Sequence, residues 1–139
     1  MNRTDLQLLS QERLYDAQAL IAASRWSGAY YLAGYSLECA LKSSVLRHLE
    51  QTGIIFEDKR FVEKCWTHDL ETLVKIADLE AKRGIAISAN AQLGTNWLLA
   101  KDWDESFRYR NSTQQQAQML YHAISDTTNG VLQWIKQYW

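Results

Sequence analysis

Hydrophobic positions along the chain recur at three- and four-residue intervals almost throughout, the spacing of one helix face. Leu6, Leu9, Leu14 and Ala17 lead to Leu20 and Ile21. Thr4 and Gln7 have the spacing of a capping box, so the first helix is expected to begin at Thr4. It is expected to fade near Ser24 to Ser27. A second helix should start at Ser27 or Gly28, run to about Glu50 and stop at Gly53. Its first half is apolar almost all round, as in a helix packed on several sides. Ala29, Ala33, Gly34, Ser36 and Ala40 are small enough to let another helix approach closely. Gly34 costs about 1 kcal/mol against alanine inside a helix, and close packing is the simplest compensation.

The pattern blurs over residues 54–66. Ile54, Ile55 and Phe56 fit an extended segment or a packed loop, and Phe61, Val62, Cys65 and Trp66 fit a short helix. Thr67 then reads as an N-cap, and His68, Asp69 and Leu70 open a third helix. Leu70, Leu73, Val74, Ala77 and Leu79 form its core face, and Gly84 is its expected stop. A fourth helix is expected from about Ser88 to Lys101, carrying Leu93, Trp97, Leu98 and Ala100. Residues 102–110 read as an ordered connector. The last helix should begin at Ser112 or Thr113, where Thr113 and Gln116 repeat the capping-box spacing. It carries Ala117, Leu120, Tyr121, Ile124, Val131, Leu132 and Ile135, with Gly130 as its weak point. The expected fold is all-α: one domain over residues 1–139, an up-and-down bundle of four to five antiparallel helices.

Composition sharpens this picture. The 139 residues suit one domain, and a domain of this size buries roughly 68% of its unfolded surface without staples. No proline interrupts the helices. No run of about 18 apolar residues occurs, so no membrane span is expected, and the cytoplasm is the default location. The formal net charge of -1 argues against strong nonspecific nucleic-acid binding but leaves room for a local basic patch. Cys39 and Cys65 are not a CxxC pair, and Cys39 lies in an apolar run, as a buried thiol would.

The stretch from Ala29 to Lys42, with sequence AYYLAGYSLECALK, resembles the corresponding helix of prokaryotic HEPN domains. That helix carries small and aromatic residues, then a glutamate followed four residues on by a lysine, here Glu38 and Lys42. His68-Asp69-Leu70, Trp103 with Arg108-Tyr109, and Trp134-Ile135 follow in the order the family shows. The resemblance covers most of the chain. It implies a helical bundle, often a homodimer, that binds a nucleotide or RNA or partners a nucleotidyltransferase. Other members of the family are ribonuclease toxins of toxin–antitoxin systems. Those enzymes use an arginine and a histidine separated by four to six residues. Here Arg60 and His68 have seven residues between them, and Arg108 and Arg110 lie too far before His122. The expectation is therefore a non-catalytic binding module. A ribonuclease with a displaced site and a purely structural dimerisation adaptor are its competitors.

Six residues are candidates for ligand or partner contact. Glu38 and Lys42 stand one helical turn apart, and a charge in an apolar helix needs a partner. An internal ion pair is the competing reading. His68, beside Asp69, is a helix-start residue or a contact. Arg108, Tyr109 and Arg110 could grip phosphate by guanidinium forks and stack on a base. Alternatively, Arg108 is neutralised by the preceding Asp102, Asp104 and Glu105 while Tyr109 packs. His122 reads as a satisfied structural histidine, and His48 as a cation at a helix C-terminus. The tryptophans read as core or interface. No catalytic residue, cofactor or metal is assigned, because the acidic run matches no EF-hand or histidine-containing metal pattern.

Overall fold

The computed structural model of the chain describes residues 1–53 and 59–139, with the backbone alone at Val62. The described residues form an all-α bundle with no strand. Its helices are α1 (Arg3–Ala22), α2 (Trp26–Thr52), α3 (Lys59–Cys65), α4 (Leu70–Ile76), α5 (Glu80–Ala89), α6 (Ala91–Ala100), α7 (Gln114–Ser125) and α8 (Val131–Ile135). A 3-10 turn spans Glu105–Tyr109. Ile54, Ile55 and Phe56 lie outside the described residues, as does the side chain of Val62.

Helices α1 and α2 form an antiparallel hairpin. Arg3 meets Glu50 at 2.8 Å, and Ser10 meets Ser36, so the register runs in opposite directions. Ser10 Oγ donates to the Ser36 carbonyl at 2.8 Å, and Ser36 Oγ donates to the Ser10 carbonyl at 2.7 Å. Both serines are completely buried, so each hydroxyl satisfies itself on the facing backbone. Such bonds require close helix axes, which Ala29, Ala33 and Ala40, all buried, permit. The first helix starts at Asn2 rather than Thr4. Asn2 accepts from the Asp5 backbone N–H while Asp5 accepts from the Asn2 N–H, a capping box two residues earlier.

Three expected helices are interrupted instead, and the described residues form eight helices. The third stops at Ile76. Asp78 adopts a left-handed φ of 58°, its N–H donates to Lys75 O, and the Leu79 N–H donates to Val74 O. This is a Schellman ending with aspartate in the position glycine usually takes. Leu79 and Val74 are both buried, which supplies the accompanying apolar contact. Gly84 is therefore not a stop but lies within α5. Ser24, at φ 59°, ends α1 in the same way, with Arg25 N–H on Leu20 O. Gly53, at φ 67°, does cap α2.

Asn90 divides the expected fourth helix. Its Oδ1 caps the Leu93 N–H at 3.2 Å, and its Nδ2 donates to Asn129 Oδ1 at 2.8 Å. The last helix begins at the expected Thr113–Gln116 capping box but breaks at Asp126–Gly130. Asp126 Oδ2 accepts from the Asn129 N–H at 2.7 Å, and Asn96 Nδ2 donates to the Asn129 carbonyl at 2.8 Å. Asn129 thus ties the α7–α8 turn to α6. The core gathers Leu37, Leu41, Leu70, Leu73, Val74, Trp97, Leu120, Ile124 and Ile135. Of the apolar residues on the expected fourth helix, Leu93, Trp97 and Ala100 are buried and Leu98 is exposed.

Candidate functional site

The six candidate residues fall into two groups. Glu38, in the middle of α2, is 2% exposed. Lys42, one turn later, donates to Glu38 Oε1 at 2.7 Å. His68 Nδ1 lies 2.9 Å from Oε1 and 3.0 Å from Oε2 of the same carboxylate. A carboxylate only accepts, so Nδ1 carries the proton in these bonds and Nε2 is the ring's remaining nitrogen. One buried acid therefore holds two donors from two elements. It clamps the start of α4 onto α2. Asp69 is the N-cap of α4, its Oδ1 accepting from the Thr72 N–H at 3.0 Å. Thr67 stands one step further out, its Oγ1 accepting from the Asp69 N–H. The expected cap at Thr67 is thus displaced by two residues.

His68 also lines a cavity of about 390 Å³ with Asp69, Glu71, Asp102, Asp104 and Glu105. Among the described residues Lys101 is the one lysine or arginine lining it. A phosphate entering this cavity would face five carboxylates, which repel it at short range. Its deep wall is Trp103, which is 1% exposed. The Trp103 indole fills the space above Gly34, so a β-carbon there would overlap the ring. The close approach expected at Gly34 is thus made by an indole from the 102–110 connector, not by another helix. Tyr31 stacks on Trp103 with ring centroids 5.8 Å apart.

Among the described residues no group of three or more histidine, cysteine or acidic side chains is placed to hold a metal ion. Cys39, beside Glu38, is buried and forms no disulfide. Burial pushes its thiol up to about 11, with the Glu38 charge adding to the effect. Such a thiol is a poor nucleophile at neutral pH.

Arg108, Tyr109 and Arg110 form the second group, at the end of the 3-10 turn. All three are exposed, Tyr109 at 82%. The turn is held down by Phe107, whose ring lies 4.6 Å from that of Tyr30. It is opened by Asp104, whose Oδ1 accepts from the Ser106 N–H at 2.8 Å. Ser106, through its side chain and backbone, holds the Asp104 carboxyl below its usual range against the opposing effect of burial, with Arg110 a smaller contributor. Burial raises the Tyr30 hydroxyl, Asp102 and Asp104 raise it further, and Arg110 opposes them. The acidic run and Arg110 therefore feel one another. Yet among the described residues neither Arg108 nor Arg110 has an ion pair within 4.0 Å, although Lys101 and Asp102 stand 3.6 Å apart. Each guanidinium lies instead over a ring: Arg108 over Tyr109 at 5.1 Å and Arg110 over Phe107 at 4.7 Å. The alternative in which Arg108 binds a carboxylate and Tyr109 packs is not what the structure holds. Stacked guanidinium groups keep their in-plane N–H donors for an incoming acceptor.

The remaining histidines separate as well. His122 is exposed on α7 rather than a satisfied core residue. His48 is half-buried and lines a small cavity with Arg47 and Lys82. Among the tryptophans Trp97, Trp103 and Trp134 are core, whereas Trp66 is 76% exposed. No helix among the described residues is long and apolar enough to cross a membrane. No family model matches the chain, and neither does any curated protein or solved structure.

Proposed function

We propose that the chain is a HEPN-like binding module that engages RNA through Arg108, Tyr109 and Arg110. The observation that carries this reading is the pair of exposed guanidinium groups without a carboxylate partner, flanking an exposed tyrosine. Two cations reach phosphate oxygens, and a tyrosine ring between them offers a surface on which a base stacks. The acidic cavity beside His68 makes the opposite electrostatic offer, so His68, Glu38 and Lys42 serve the reading as scaffold. They fix α4 on α2 and leave the arginines to contact the ligand.

The module is proposed to bind without cleaving, as a homodimer that works beside a nucleotidyltransferase partner. The support is the residue pattern from Ala29 to Lys42 together with the missing arginine–histidine spacing. A short single-stranded RNA titrated at low salt tests the reading. The wild-type chain is expected to bind and leave the RNA intact, and Arg108→Ala with Arg110→Ala to lose binding. Cleavage that disappears in His122→Ala would replace it with the ribonuclease reading. Absence of RNA binding together with capture of a nucleotidyltransferase would assign the surface to a protein.

A further inference from the structure

We infer that a strand held at the arginine tip leaves it along α7, over an exposed stripe of Gln115, Gln118 and His122, and that Asp102 and Glu105 close the opposite direction to phosphates. This rests on the RNA reading of the tip. It adds the path of the strand and the side chains that select it.

Charge is divided sharply around the tip. Asp102, Asp104 and Glu105 precede Arg108, whereas residues 106–125 contain no carboxylate. The three acids line the cavity beside His68 together with Asp69 and Glu71, so the acidic side is gathered in space as well as in sequence. A 3-10 turn rises about 2.0 Å per residue, which sets the backbones of Glu105 and Arg108 about 6 Å apart. That is inside the Debye length of about 8 Å at physiological salt, so the acids are felt at the tip. Phosphates running on over this side would meet carboxylates at short range.

The first turns of α7 offer the reverse. The link to them is short: four residues from Arg110 to Gln114 span at most about 14 Å. It is also fixed, because the Ser112 N–H donates to Ser27 Oγ at 2.9 Å and the Thr113 hydroxyl caps the helix. Ala117, Leu120, Ala123 and Ile124 are buried, which turns the other face of α7 to solvent. On that face Gln115, Gln118 and His122 follow at i, i+3 and i+7, and all three are exposed. At such spacing successive side chains stand about 5–6 Å apart, in a stripe about 10 Å long. Among the described residues none of the three side chains is engaged in a hydrogen bond or an ion pair. An amide both donates and accepts, so it meets the edges of unstacked bases whichever way they turn. The stripe carries no negative charge to repel the strand.

Fluorescence anisotropy of the full chain with a dinucleotide and an octanucleotide of single-stranded RNA tests the path. The octanucleotide is expected to bind more tightly. Gln115→Glu with Gln118→Glu should weaken it roughly tenfold or more, with the thermal melt not lowered, and should weaken the dinucleotide much less. Asp102→Asn with Glu105→Gln should raise the affinity for RNA severalfold. RNA binding that is lost in Arg108→Ala, Arg110→Ala but untouched in the glutamate variant would overturn the path and leave the tip standing. So would an octanucleotide that binds no better than the dinucleotide, or affinity that falls when Asp102 and Glu105 are neutralised. No RNA binding, or binding indifferent to both arginines, would remove the tip and the path together.

Discussion

The indole of Trp103 occupies the space that a β-carbon on Gly34 would need, and the ring is 1% exposed. A glycine that weakens α2 thereby seats the residue that anchors the 102–110 connector. Gly34→Ala is expected to destabilise the chain by about 1–3 kcal/mol, because overpacking outweighs the helix-propensity gain of about 1 kcal/mol. Gly84→Ala should do the reverse. Its β-carbon would meet nothing within 4 Å, and the position is helical, so a gain of up to about 1 kcal/mol is expected. Urea denaturation of both variants checks the pair. Equal signs would contradict the packing described for α2 and the helical placement of Gly84.

Asp78 sits in left-handed conformation at φ 58° where glycine is the residue of least strain. The order of melting temperature at this position should be glycine, then aspartate, then alanine, spanning roughly 1–2 kcal/mol. A melt in which Asp78→Ala matches or exceeds Asp78→Gly would remove the Schellman ending of α4.

The Glu38 cluster should matter for stability and not for the ligand. Glu38→Ala leaves Lys42 and His68 without their acceptor. Both retain some access to water, so the expected cost, about 1–3 kcal/mol, falls short of the roughly 3–5 kcal/mol for breaking a fully buried pair. A double-mutant cycle with His68→Ala should show coupling of the two residues, roughly 0.5–3 kcal/mol. RNA affinity measured on folded Glu38→Ala should equal that of the wild type. A selective loss of RNA binding there would move the cluster into the ligand site.

Cys39 gives the fold an alkaline limit. Its folded thiol is pushed up to about 11 from an ordinary 9.0, so the unfolded chain releases that proton first. Between those values the folded state holds more protons than the unfolded one, and stability falls as pH rises. Tyr30 and Tyr35, both raised first by burial, extend the trend above pH 10. Cys39→Ala should flatten the decline between pH 9 and 11. Thiol labelling at pH 8 should modify Cys39 only under denaturing conditions. Rapid labelling of Cys39 in the native chain would contradict its burial.

Helix type, the capping box at Thr113 and the core faces were legible because each rests on side chains near in sequence. Helix ends were less so. Gly53 stops α2 and α1 ends just before Ser24, both as expected, but Asp78 ends α4 in place of Gly84, which stays helical. The turn at Asp78 goes with the burial of Leu79 and Val74 on either side of it, which no local pattern shows. The i, i+4 pairing of Glu38 with Lys42 was visible, since both lie on one helix. The third member, His68, joins from thirty residues away through the packing of α4 on α2. Arg108 and Arg110 follow three carboxylates in sequence, yet the 3-10 turn directs them onto rings instead.

RNA binding at the arginine tip is measured most directly by its salt dependence. Each phosphate contact released should reduce the slope of log affinity against log salt by about 0.7 for single-stranded RNA. The double variant Arg108→Ala, Arg110→Ala should therefore bind a short single-stranded RNA more weakly, with a slope shallower by about 1.4. Its melt should be unchanged. A slope and affinity equal to those of the wild type would contradict the assignment of Arg108 and Arg110 as the phosphate contacts.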